Sequence, residues 1–189
     1  MVDIPIRTLD DAPEEARPLL ETAKGKFGFV PNVLGELANA PAALEGYLTL
    51  SELLGRTSLS PVEQQVLLLA ISFANECDYC MAAHSGGALR GGVPQETVDA
   101  LRDGTPVPDE RLEALRTFAA KTTANRGHLA DADVQAFLGA GYDVQQVLEV
   151  LLAVGLKTIS NYTNHLARTP LDPQLEGMAW SGPAAKAAE

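Results

Sequence analysis

An all-α, single-domain fold is what this 189-residue sequence predicts, on three observations. Proline and glycine recur at spacings that start and stop helices. Two patterns of a short polar residue followed three positions later by Glu or Gln stand at the heads of apolar segments. Strand signals, by contrast, are scarce.

The elements follow in order. The first helix is predicted within 10–28, with Pro13-Glu14-Glu15 as its start and Pro18 limiting its length. Pro31 to Leu37 reads as a short helix. Asn39-Ala40-Pro41 opens a longer one through Leu54, and Gly55 stops it. The clearest N-terminus is Leu59-Ser60-Pro61-Val62-Glu63, with Ser60 as N-cap, Pro61 in the first position and Glu63 completing a capping box. Val66, Leu67, Leu69, Ala70 and Phe73 make that helix too apolar for a surface element, and it should run to about Asn75. A new helix begins at Cys77 and ends at Gly91-Gly92. Helices are further predicted over Pro94–Leu101, Pro108–Thr123 and Asp131–Leu138. A long one opens at Asp143, with Gln146 as its capping partner, and reaches about Leu166. Organisation along the chain is then a helical arm (1–58), a core (59–170) and a tail (171–189) that carries Trp180 and whose Ala/Gly/Pro/Lys end is expected to fray unless a neighbouring subunit pins it.

Composition narrows the function. At 46% hydrophobic the chain can bury one sizeable core. A net charge of −11 without any basic run argues against nucleic acid or an anionic membrane as partner. Apolar runs such as Val66 to Ala70 fall far short of the ~20 residues of a membrane span. The opening Met1-Val-Asp-Ile-Pro-Ile does not read as a secretory signal, so the cytoplasm is the expected compartment. There a lone CxxC is more often catalytic or metal-binding than a structural staple.

Cys77-Asp-Tyr-Cys80-Met-Ala-Ala-His84 holds both cysteines and one of the three histidines of the chain. On a helix Cys77 and Cys80 share a face with Cα atoms about 5–5.5 Å apart, within the range a disulfide tolerates. His84 lies one turn beyond Cys80, placed to take its proton or to stabilise its thiolate. Glu76 and Asp78 flank Cys77 and oppose ionisation there, so Cys80 is the expected attacking sulfur and Cys77 the resolving one. Attack on a hydroperoxide would leave Cys80 as a sulfenic acid; Cys77 would condense with it, and an external dithiol or disulfide reductase would reset the pair. Such a cycle needs neither metal nor organic cofactor.

Leu59 to His84, ending in CxxCxxxH after an apolar helix, resembles the alkylhydroperoxidase D-like proteins of the carboxymuconolactone decarboxylase superfamily. The resemblance implies an AhpD-like helical bundle that assembles as a homo-oligomer, in trimers, dimers or hexamers. It implies a thiol-dependent peroxidase with Cys80 peroxidatic, Cys77 resolving and His84 in a proton relay. The family pattern places a glutamate where this chain has Gln65, which can orient a hydrogen bond but cannot accept a proton at neutral pH. Glu63 is better explained by the capping box. Superfamily decarboxylases generally lack the cysteine pair, which weighs against a decarboxylase-like or lactone-processing enzyme. A non-enzymatic redox sensor whose disulfide alters its assembly is the other alternative.

Other polar residues carry plainer expectations. Tyr79 is expected to pack or to wall a pocket. Asn161, Asn164 and His165 sit in an otherwise apolar helix and are expected to bond internally, with reach toward the cysteines as the alternative. His128 is expected in a loop, and Arg116 and Lys121 on a solvated face. Zinc on Cys77, Cys80 and His84, with His128 or His165 as fourth ligand, is disfavoured because three ligands on one helix surround an ion poorly. Finally, Gln64-Gln65-Val66-Leu67 recurs as Gln145-Gln146-Val147-Leu148, and the same offset brings His84 onto His165. This would relate two helix pairs by an old duplication or reflect chance.

Overall fold

The computed structural model describes residues 3–182, and the described residues contain helices and no strand. The helices are α1 (Arg17–Phe27), α2 (Asn32–Leu37), α3 (Pro41–Leu54), α4 (Pro61–Ala74), α5 (Asp78–Arg90), α6 (Gln95–Asp103), α7 (Glu110–Ala124), α8 (Asp131–Gly139) and α9 (Val144–Ala167). A 3-10 turn, Pro173–Met178, follows. No single described helix is long and apolar enough to cross a membrane.

Helix α4 occupies the centre because an unbroken run, Val66 to Ser72, is buried and only neighbours on several sides can cover it. Those neighbours are α5, α6, α7 and α9. Both predicted capping boxes are present. Ser60 and Glu63 satisfy each other's backbone amides at the head of α4, and Asp143 and Gln146 do so at the head of α9. A second apolar cluster lies under the arm, where Ala16, Leu20, Val33, Leu34, Leu37 and Leu44 pack with Cys77, Tyr79 and Cys80. The arm therefore forms part of the wall around the cysteines.

The structure corrects or extends the sequence reading at three places. First, α1 starts at Arg17, after a turn in which Ala16 and Arg17 donate to the Pro13 carbonyl. Pro18 lies in its first turn, where the missing amide has no partner to lose, so it opens the helix and does not shorten it. Second, the tail up to Gly182 is held by its own chain, while the end expected to fray, 183–189, lies outside the described residues. Trp180 is buried, donates its indole N–H to the Arg102 carbonyl at 2.8 Å and meets Phe73 edge-on. Arg102 in turn donates to the Met178 and Ala179 carbonyls. Phe73 also covers Gly104, whose φ of +69° closes α6 where any Cβ would strike the ring. Third, residues 145–165 lie within one unbroken helix, whereas 64–84 are broken between α4 and α5. The two segments are not equivalent helix pairs.

Candidate functional site

The break between α4 and α5 positions the thiols. Glu76 adopts a left-handed backbone, φ +53°, at a cost of roughly 1 kcal/mol for a residue with a Cβ. That turn lets the Cys77 amide donate to the Ser72 carbonyl at 3.0 Å and makes Cys77 the N-cap of α5. Cys80 then falls in the first helical turn, where unpaired amides favour negative charge. Both thiols are free and buried, 0% and 3% exposed.

Helix α9 crosses them with a polar stripe. Lys157, Ser160, Asn161 and Asn164 recur at three- and four-residue spacing and are all buried, on a helix otherwise largely apolar. Asn164 Nδ2 lies 3.5 Å from Cys77 Sγ and 3.2 Å from Cys80 Sγ. Ser160 Oγ is 3.9 Å from Cys80 Sγ. Asn161 Oδ1 accepts from Asn75 Nδ2 at 2.9 Å, bracing the stripe against the end of α4. Of the three polar residues expected to bond internally, Asn164 instead turns to the sulfurs, Asn161 bonds as expected, and His165 is exposed.

Lys157 was not singled out by the sequence. Its ammonium is buried and lies 2.9 Å from His84 Nε2, and its charge acts on the Cys80 sulfur. Burial alone would raise the Cys80 thiol, but the Cys77 S–H and the Lys157 and Ser160 side chains together hold it well below the usual thiol range. Cys77 moves the opposite way, pushed up by donating to Cys80 and by burial. Against the desolvation that disfavours its charge, Lys157 is held up by Cys80. Burial first, then the Lys157 ammonium, push His84 well down, so His84 is neutral and accepts from Lys157. The ordering is thus Cys80, Lys157, His84, with the lysine between the residues that sequence spacing had paired directly. From α3, the Tyr47 phenol reaches the same cluster; burial raises it and the Lys157 charge opposes that.

Gln65 faces α5 one turn past His84, beside Gly87, and its Oε1 is buried without a hydrogen-bond partner. Glu63 is accounted for by Ser60 and Arg111, as the capping box predicts. Tyr79 packs in the arm cluster and donates its hydroxyl to the buried Asp172. His128 is exposed after α7, and Arg116 and Lys121 pair with Glu113 and Asp133. Among the described residues no group of three or more His, Cys, Asp or Glu side chains is placed to hold a metal ion.

Residues 41–115 match the model of the carboxymuconolactone decarboxylase family, a span that includes α4, α5 and the cysteine motif. An alkylhydroperoxidase AhpD core structure, a peroxidase-related protein from Ralstonia eutropha JMP134, superposes with a TM-score of 0.81 at 22% identity, covering 94% of this chain and 97% of that one. The fold is AhpD-like. A peroxidase-related protein from Silicibacter sp. TM1040 has a TM-score of 0.76 at 23% identity, with 94% of each chain covered. The debrominase Bmp8 has one of 0.78 at 17% identity, over 93% of this chain and 95% of that one. No curated protein is matched by the sequence. In this AhpD-like chain the motif stands at the start of α5, with Cys77 as its N-cap.

Proposed function

We propose that this chain is a thiol oxidoreductase that reduces an organic hydroperoxide, with Cys80 attacking and Cys77 resolving. The observation that carries the reading is a single buried sulfur, Cys80, that meets Asn164 and Ser160 and feels the charge of the buried Lys157. A thiolate held there attacks the terminal oxygen of the hydroperoxide, and the O–O bond breaks. The leaving alkoxide takes a proton from the Lys157 ammonium, giving the alcohol and a Cys80 sulfenic acid. Cys77 then gives up its proton and displaces the hydroxyl, forming the disulfide and water. The sum is one hydroperoxide and two thiols to alcohol, water and disulfide. His84, neutral and bonded to Lys157, is placed to share the proton returning to the lysine. An external dithiol restores the pair by exchange.

Burial supports a small electrophile. A protein disulfide cannot meet a sulfur that is 3% exposed without local opening, whereas a hydroperoxide requires far less room. The likeness to peroxidase-related proteins supports the same class. The likeness to Bmp8 favours one second reading, a brominated aromatic ring. There the thiolate takes bromine from carbon, the carbanion is protonated, and Cys77 displaces bromide; two thiols and a C–Br bond become a disulfide, a C–H bond and HBr.

Mixing reduced protein with an alkyl hydroperoxide or with a bromopyrrole separates these. With hydroperoxide, Cys77→Ser should stop at a sulfenic acid that a dione reagent traps on Cys80, and Cys80→Ser should not be oxidised. Undiminished oxidation of Cys80→Ser would overturn the roles, and thiol loss with bromopyrrole alone would establish the second reading.

A further inference from the structure

Asp172 lies in the segment after α9, buried at 3% exposure, and its carboxylate joins two elements far from it in sequence. Oδ2 accepts the hydroxyl of Tyr79, which stands between Cys77 and Cys80 in the first turn of α5. The carboxylate also accepts the Asn32 amide, 3.1 Å from Oδ1 and 3.4 Å from Oδ2. Asn32 opens α2, whose N-cap, Pro31, supplies no side-chain cap. An amide that a helix start leaves unpaired is thus taken by a side chain 140 residues away. Asn32 Nδ2 donates to the Pro170 carbonyl at 3.0 Å, and the Thr169 hydroxyl donates to buried Glu36 at 2.5 Å. Helix α2 is therefore tied to residues 169–172 near both of its ends. It is also part of the cover on the thiols: Val33, Leu34 and Leu37 share one apolar cluster with Cys77, Tyr79 and Cys80. Six residues are too few to hold a helix in water on their own, so such ties decide whether the cover stays closed.

We propose that Asp172 is a specificity-determining residue of the cysteine site: by holding Tyr79 and α2 to one carboxylate, it keeps the pair closed to bulky reactants. Apolar packing is non-directional and resists sliding weakly, whereas hydrogen bonds fix both donors against a single group. A carboxylate that takes an O–H and an N–H acts only as an acceptor, the state in which such bonds are strongest. Lifting α2 from the thiols parts Asn32 from Tyr79, so one of the two bonds must break. A partner lost inside a buried cluster is not replaced by water. The same carboxylate seats the first turn of α5, which carries Cys80, so it positions the sulfur as well as covering it. What the arrangement sets is size. A hydroperoxide or a small dithiol needs little displacement of the cover. The dithiol of a protein reductase arrives with its own backbone and needs α2 lifted. The inference rests on the redox reading only for which sulfur reacts, Cys80. Its test uses no hydroperoxide, so either can fail without the other.

The test is the alkylation of Cys80 in the full chain carrying Cys77→Ser, followed by intact-mass spectrometry. Two maleimides of like chemistry and different bulk are compared, N-ethylmaleimide and a fluorescein maleimide. Asp172→Asn presents one acceptor oxygen where two donors arrive. It should raise the bulky rate roughly 10-fold or more, the weight of one hydrogen bond to a charged group, and change the small rate less than about 2-fold. Tyr79→Phe keeps the ring in the apolar cluster and removes only the hydroxyl, so it serves even where Asp172→Asn does not fold. It should raise the bulky rate to a similar extent. Both changes break one link, so the double variant should match either alone. Equal rises for the two reagents would mean a general loosening. Full additivity would mean two separate roles, and an unchanged bulky rate would mean that α2 is not held through Asp172. Each of these would overturn the proposal.

Discussion

A buried lysine beside a buried cysteine is tolerable only as an ion pair, and that pairing decides what Lys157 does. Without a partner the ammonium would shed its proton, and without the lysine only the Cys77 S–H and Ser160 would oppose the burial that pushes the Cys80 thiol up. Lys157→Met should therefore move the midpoint of the pH dependence of Cys80 alkylation upward, to or beyond the ordinary thiol range near 8.5. The sign follows from the direction of the Cys80 shift: the wild-type thiolate persists as pH falls below that range, and the variant loses it there. At neutral pH the alkylation rate should drop roughly 10- to 100-fold, since an unassisted thiol is only a few per cent ionised. A variant with the wild-type profile would show that Lys157 does not hold the thiolate. The register of Cys77, Cys80 and His84 was legible because helical spacing alone brings them to one face. Lys157 was not, because a lone lysine on an apolar helix reads equally as a side chain that extends to solvent. Its signal was collective: Lys157, Ser160, Asn161 and Asn164 share one face of α9.

At the level of elements, α4 and α9 are the two surfaces between which the thiols are held, and each begins with a reciprocal cap. Ser60→Ala and Asp143→Ala should each lower unfolding stability by about 1 kcal/mol, read from denaturant midpoints with an unchanged slope. No loss in either would mean that packing alone sets these helix starts. Both caps were visible in the sequence because their partners are three residues apart. The Pro18 assignment failed for a related reason. Proline marks a first turn as readily as it ends a helix, and only the Ala16 and Arg17 bonds to Pro13 decide between them. The left-handed Glu76 carried no sequence signal, since nothing about a glutamate announces a positive φ.

Over the whole molecule, local pattern indicated the helices but not how the ends of the chain return to the core. The arm encloses Cys77 and Cys80 through Leu34, Leu44 and their neighbours, contacts distant in sequence. Trp180 anchors the tail through Phe73 and Arg102, which no spacing rule connects. The arm and Leu175 of the tail together bury Cys77 and Cys80, and in such an enclosure the Lys157 charge acts strongly on its neighbours. The most direct test is a single-turnover thiol count on fully reduced, metal-free protein mixed with one equivalent of an alkyl hydroperoxide. Two thiols lost per chain, one alcohol formed, and both thiols recovered with a small dithiol is the result predicted. No thiol loss over minutes, or loss that dithiol cannot reverse, would contradict the dithiol–disulfide cycle.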